Sequence, residues 1–295
     1  MGDPAVAHWQ RRIGTAAVFA GGAVAAAGTL AVGVFGGQLL VARWTIPGAE
    51  APPPRCGGWY GREYGDATPL RLAVLGDSTA AGYGVHTRAE TPGALLANAI
   101  AAVVQRPVRL TCPAVVGSVS AWLPAQAETV LDAGVDLAII FIGANDVATR
   151  ANEKRAVGYL ADAVRAIRGA DADVIVATCP DLGTVRPIQP PLRWVARRWC
   201  RQMAAAQRIA VERAGGRTVS LGDLLGPTFD ADPDTMFGPD RYHPSAKGYR
   251  AAVDVVLPTA FAVLGLTAED DAPRTSGSVA AQPVGLAVPS LTEAS

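Results

Sequence analysis

Histidine is scarce in this chain: His8, His86 and His243 are the only three. A metal centre built on histidine has too few ligands to draw on. The four cysteines, Cys56, Cys112, Cys179 and Cys200, form no C-x-x-C pair, which removes the zinc-knuckle and thioredoxin-like readings. Net charge is missing too, since 26 Lys and Arg balance 26 Asp and Glu. Without a clustered basic run, nucleic acid is an unfavourable partner. No Gly-rich phosphate loop is present, which disfavours a nucleotide-binding enzyme. No metal and no cofactor is expected, and no internal repeat is found. The even cysteine count permits disulfides in an exported domain, with Cys179–Cys200 the preferred pair. The competing reading is four small buried hydrophobes.

One long stretch lacks charge altogether. Residues 13–42 carry no Asp, Glu, Lys or Arg and are rich in Ala, Val, Leu and Gly. A helix of about 20 apolar residues crosses a hydrocarbon core of about 30 Å. Three readings stand open: an uncleaved anchor, a cleaved signal peptide, or a buried soluble helix. The run is longer than the usual signal-peptide core, which favours the anchor. Arg11 and Arg12 precede it, and the positive-inside rule then places the main domain outside the cytoplasm. Residues 1–12 form a short N-terminal segment. Residues 43–69, with Pro52, Pro53 and Pro54, read as a linker. A folded domain is expected over 70–266. Residues 267–295 lack aromatics and read as a disordered tail. Nothing in the sequence fixes an oligomeric state.

Within the domain, short apolar runs alternate with longer amphipathic ones. Strands are expected at Leu70–Leu75, Val108–Cys112, Val135–Ile142, Asp173–Thr178 and Thr218–Leu221. Helices are expected at Gly93–Val104, Ala121–Leu131, Asn152–Ile167, Leu192–Ala214 and Ala246–Leu264. This alternation implies α/β architecture, a parallel sheet of about five strands with helices on both faces. In such sheets functional groups gather at the carboxyl ends of the strands.

Polar clusters stand at those ends. Gly76-Asp77-Ser78-Thr79 follows the first strand. Ser78 then lies at the start of a helix, where unpaired N–H groups favour negative charge, although a helix-capping serine fits the same position. A hydroxyl becomes a strong nucleophile only when a base takes its proton. His8 precedes the apolar run, and His86 has no carboxylate two to four residues before it. His243 has Asp240 three residues upstream and Pro244 after it. That spacing lets a carboxylate hold one ring nitrogen while the other faces Ser78. Asn145, in Gly143-Ala144-Asn145-Asp146, can donate its amide to an oxyanion or close an Asx turn. Gly117 follows the second strand and offers an N–H open to close approach, or is an ordinary turn glycine.

Together these blocks resemble the SGNH/GDSL hydrolase superfamily, in order and spacing from Gly76 to Pro244. Thr79 stands where the family usually has Leu. The exported actinobacterial esterases of the superfamily are most similar in character. The resemblance implies a three-layer flavodoxin-like sandwich. It implies Ser78 as nucleophile, His243 as base and Asp240 as its partner. It also implies an oxyanion hole from the Ser78 and Gly117 N–H groups and the Asn145 amide. The expected activity is hydrolysis of carboxylic esters, with short acyl or acetyl groups favoured because no insertion is long enough for a large lid. An acyltransferase or a carbohydrate O-acetylesterase could use the same site, and a non-catalytic flavodoxin-like binding module is the reading from another class. The α/β-hydrolase motif Gly-x-Ser-x-Gly is not met, because Ala80 occupies its last position.

Overall fold

The computed structural model describes residues 51–266. Its centre is one six-stranded sheet in the order β1-β3-β2-β4-β5-β6. The strands are β1 (Gly58–Tyr60), β2 (Leu70–Gly76), β3 (Val108–Thr111), β4 (Leu137–Phe141), β5 (Asp173–Ala177) and β6 (Arg217–Val219). The five from β2 to β6 are mutually parallel, whereas β1 runs antiparallel to β3. Two expectations are therefore corrected. The sheet has six strands and is mixed rather than wholly parallel. Residues 58–60, read as linker within 43–69, belong to the sheet. Trp59 and Tyr60 suit a strand, but a run of three residues beside prolines and glycines is too short to signal one, and the free edge of β3 gives it partners.

The larger helices are α2 (Pro92–Val104), α3 (Leu123–Ala133), α5 (Glu153–Arg168), α6 (Leu192–Arg213), α7 (Leu221–Ala231) and α9 (Ala246–Val263). Three single-turn helices complete the set: α1 (Ser78–Ala81), α4 (Ala144–Ala148) and α8 (Pro233–Met236). Side-chain alternation along the strands builds two cores. Leu72 and Val74, Ile139 and Phe141, Ile175 and Ala177 face α2 and α9. Ala73 and Leu75, Ala138 and Ile140, Val174 and Val176 face α3 and α5. The central strands are buried on both sides, as parallel strands covered by helices must be. This is the three-layer sandwich expected from the alternation of strands and helices.

The apolar stretch 13–42 and the tail 267–295 lie outside the described residues. Among the described residues, no helix is long and apolar enough to cross a membrane.

Candidate active site

The site is assembled from strand ends. β2 delivers Ser78 through a sharp turn at Gly76, whose φ is +134°. A Cβ there would stand 1.8 Å from the Phe141 carbonyl oxygen of β4, so glycine is required both for conformation and for space. Asp77 caps α1, accepting from the Thr79 N–H at 2.9 Å. Ser78 is the first residue of that helix and 7% exposed.

His243 arrives from the loop before α9. That loop is folded back on itself by Gly238 N–H donating to the His243 carbonyl at 2.8 Å. Asp240 shares its carboxylate between two tasks. Oδ1 accepts from the Tyr242 and His243 N–H groups at 3.0 and 2.9 Å. Oδ2 lies 2.6 Å from His243 Nδ1. The opposite ring nitrogen, Nε2, is 3.0 Å from Ser78 Oγ. Burial opposes ionisation of Asp240, but the hydrogen bonds from the His243 ring and the two N–H groups outweigh it and hold its pKa below the usual carboxylate value. Tyr83 and Tyr242 pack edge-on against the imidazole at 4.6 and 4.9 Å between ring centres, which fixes its plane.

The structure thus brings Ser78, His243 and Asp240 into one hydrogen-bonded chain, three residues that the sequence separates by up to 165 positions. Asn145 lines the same pocket as Ser78 and His243. One of its amide hydrogens is used on the Ser118 carbonyl at 3.0 Å, which leaves the second for a ligand. Gly117 is different. It is exposed at the rim with φ +82° and open space about its Cα, and it does not line that pocket. Its tie to the site is indirect, through the neighbouring Ser118 carbonyl that holds Asn145. His86 is exposed and its N–H donates to Glu90, outside the constellation.

Several positioning residues escaped the sequence reading. Gln126 on α3 pairs with both backbone groups of Gly76, accepting from its N–H at 2.8 Å and donating to its carbonyl at 2.9 Å. Gln207 on α6 bridges the ends of β4 and β5, donating to the Ile142 carbonyl at 3.0 Å and accepting from the Cys179 N–H at 2.7 Å. Asp146, buried, accepts from the Ser120 N–H and hydroxyl, locking the loop that carries Gly117 and Ser118 to the start of α4. Both glutamines were detectable: Gln126 falls in step with Leu123, Ala127 and Val130, and Gln207 with Cys200, Met203 and Val211. A polar residue inside an apolar helical stripe is a candidate for a buried hydrogen-bond role.

The pocket at Ser78 is a narrow slot of about 80 Å³ walled by Leu182, Val185, Leu225, Phe229 and Phe237. A larger cavity of about 570 Å³ opens on the same loop at Gly238 and Arg241, but Ser78, Asp240 and His243 do not line it. The nucleophile's surroundings, not the larger volume, define the site. Among the described residues no cluster of His, Cys, Asp and Glu is arranged to hold a metal.

Comparison with known proteins places this geometry. Residues 74–251 match the GDSL-like lipase/acylhydrolase family. The GDSL-like esterase Rv1075c of Mycobacterium tuberculosis (strain ATCC 25618 / H37Rv) is 40% identical over 259 residues, covering 83% of this chain and 82% of its own length. Among solved structures, an acetyl-xylooligosaccharide esterase from Geobacillus stearothermophilus shares the fold with a TM-score of 0.53 at 19% identity, over 64% of this chain and 93% of its own. The psychrotrophic esterase EstA from Pseudoalteromonas sp. does so with a TM-score of 0.52 at 19% identity, over 66% and 98%. With the family match spanning Ser78 to His243, a 40% identical GDSL-like esterase and the fold shared with esterases of the same architecture, this chain belongs to the GDSL-like lipase/acylhydrolase family and is a carboxylic ester hydrolase of the SGNH type.

Proposed function

We propose that hydrolysis proceeds through a Ser78–His243–Asp240 triad and an acyl-enzyme. The observation that carries this reading is the imidazole of His243 held between Ser78 Oγ at 3.0 Å and Asp240 Oδ2 at 2.6 Å. His243 Nε2 takes the Ser78 proton as Oγ attacks the ester carbonyl carbon. The carbonyl oxygen becomes an oxyanion, received by the Ser78 N–H and the spare Asn145 amide hydrogen, while Gly117 at the rim acts through the neighbouring Ser118 carbonyl that holds Asn145. Collapse breaks the bond to the alkoxy oxygen, which leaves as the alcohol with the proton from His243. Water then gives its proton to His243, attacks the acyl carbon and releases the acid, and Ser78 regains its proton. Removing one oxyanion donor raises the barrier by about 2.7–4 kcal/mol.

The acyl group sits in the slot walled by Leu182, Val185, Leu225, Phe229 and Phe237. Apolar walls favour the acyl rather than a polar sugar part, and the small volume favours short chains or acetyl. The uncharged stretch 13–42 behind Arg11 and Arg12 supports a domain exported or anchored outside the cytoplasm. Protease added to intact cells would then digest the domain, and full protection would refute that placement.

Ester profiling tests the rest. A nitrophenyl ester series should peak at short acyl chains. Ser78→Ala should lose hydrolysis by at least about 10³-fold and lose labelling by a fluorophosphonate. Normal turnover by Ser78→Ala would remove the triad, whereas a peak at long chains would remove only the short-acyl assignment.

A further inference from the structure

The four cysteines are free thiols in this structure and stand as two neighbouring pairs. Beyond the paired residues Gly58↔Leu110 of β1 and β3, the antiparallel register carries two residues further to Cys56 opposite Cys112. The chains stay adjacent there, since the Gly57 Cβ position lies 3.5 Å from the Leu110 carbonyl oxygen. Facing residues of an antiparallel pair have Cα atoms about 4.5–5.5 Å apart, inside the span that a disulfide bridges. The Cys112 thiol donates to the Ala80 carbonyl at 3.8 Å, and its nearness to Cys56 is the largest influence drawing the Cys56 pKa down. In the second pair, Cys179 follows β5 and is tied to α6, the helix of Cys200, by its N–H donating to Gln207 Oε1 at 2.7 Å, and the neighbouring Cys200 thiol, ahead of burial, pushes the Cys179 pKa up. Both are 1% exposed.

We infer that Cys56–Cys112 and Cys179–Cys200 are two disulfide-forming pairs that staple β1 to the end of β3 and the end of β5 to α6. Each bond forms when two thiols give up two protons and two electrons to an external disulfide, such as oxidised glutathione or a thiol–disulfide oxidoreductase, which becomes two thiols. The placement bears on catalysis. Cys112 leads into the loop carrying Gly117 and Ser118. Cys179 precedes Pro180 and Leu182 of the acyl slot, and its Cβ sits 2.8 Å from where a Cβ on Gly143 would lie. The staples therefore hold two of the segments that shape the site.

Burial separates the two pairs kinetically. Cys112 is half-buried, so an oxidant reaches the first pair in the folded protein. Cys179 and Cys200 are enclosed, so their bond forms as α6 docks during folding. The full chain, in mild detergent, should be reduced and unfolded, then refolded in a mixture of reduced and oxidised glutathione. Alkylation in denaturant followed by peptide mass mapping reads the result. The expected outcome is no alkylated cysteine and two cross-linked peptides, Cys56 with Cys112 and Cys179 with Cys200. A second arm adds oxidised glutathione to protein already folded in its reduced form, and here only Cys56–Cys112 should close. Re-reduction of the refolded protein should lower the thermal midpoint by roughly 5–15 °C. Four alkylated cysteines, or any other pairing, overturns the inference. Closure of one pair alone overturns the assignment of the other, and an unchanged midpoint overturns the stapling role.

Discussion

The two oxygens of the Asp240 carboxylate are not equivalent. Oδ1 is taken by the N–H groups of Tyr242 and His243, and Oδ2 by the imidazole. In Asp240→Asn the carbonyl oxygen of the amide keeps the backbone partners, because only an acceptor satisfies two N–H donors. The NH₂ group then faces His243 Nδ1 and forces it to accept. The ring proton moves to Nε2, the atom that takes the Ser78 proton in the proposed mechanism. The expected result is a kcat lower by roughly 10³–10⁴-fold with an unchanged circular dichroism spectrum. Loss limited to a few-fold would show that the carboxylate does not set the tautomer. His243 itself stood out in the sequence because it alone combined an upstream acid with a following proline. Asp77 and Asp146 belong to the same blocks as Ser78 and Asn145; Asp77 caps α1 through its near neighbour Thr79, whereas the task of Asp146, holding Ser120, depends on a partner 26 residues away.

At the scale of elements, helices position the strand ends. Gln126 treats Gly76 as a neighbouring strand would, pairing both of its backbone groups. In Gln126→Leu the Gly76 carbonyl keeps the Val115 N–H at 3.2 Å, but its own N–H is left buried without a partner. That costs about 1–3 kcal/mol, visible as a lower urea midpoint with an unchanged slope. Because Gly76 leads directly into Ser78, kcat should fall as well. A stability equal to the parent would refute the bracing role. The long helices were readable from their periodicity, and α2, α5, α6 and α9 lie within a residue of their expected bounds. α7 was not foreseen. Gly222, Gly226 and Pro227 lower its intrinsic propensity. It forms because Leu221, Leu225 and Phe229 share one face that the core buries, with Ser220 capping its start.

For the whole molecule, two buried carboxylates pull stability in opposite directions with pH. Burial raises Asp77 from 3.8 to about 6. Between these values the native state keeps a proton that the unfolded chain releases, so this contribution is present at low pH, declines from about pH 4 to 6 and stays lost above. At about 1.4 kcal/mol per pH unit the loss reaches about 3 kcal/mol. Asp240 behaves conversely: its lowered pKa contributes stability above the ordinary carboxylate value, and this is lost as pH falls through the lowered one. Asp77→Asn retains an acceptor for the Thr79 N–H but cannot ionise. Its stability relative to the parent should rise across pH 4 to 6, by at most about 3 kcal/mol, in urea titrations run at several pH values. A difference independent of pH would mean that Asp77 is not the titrating group.

The sequence by itself determined the alternation of strands and helices, and with it the edge where chemistry gathers, because side-chain periodicity and helix caps act over a few residues. It also singled out Ser78 and Asp240 as candidates by their motifs, and His243 because so few histidines left little choice. Only the tertiary structure decided that β1 joins the sheet, that α7 is a helix, that Gly117 stands at the rim while Asn145 lines the slot, and that the cysteines stand as two neighbouring pairs. Each of these turns on a partner distant in sequence, a free strand edge, a core face or a second thiol, and no local pattern encodes such a partner.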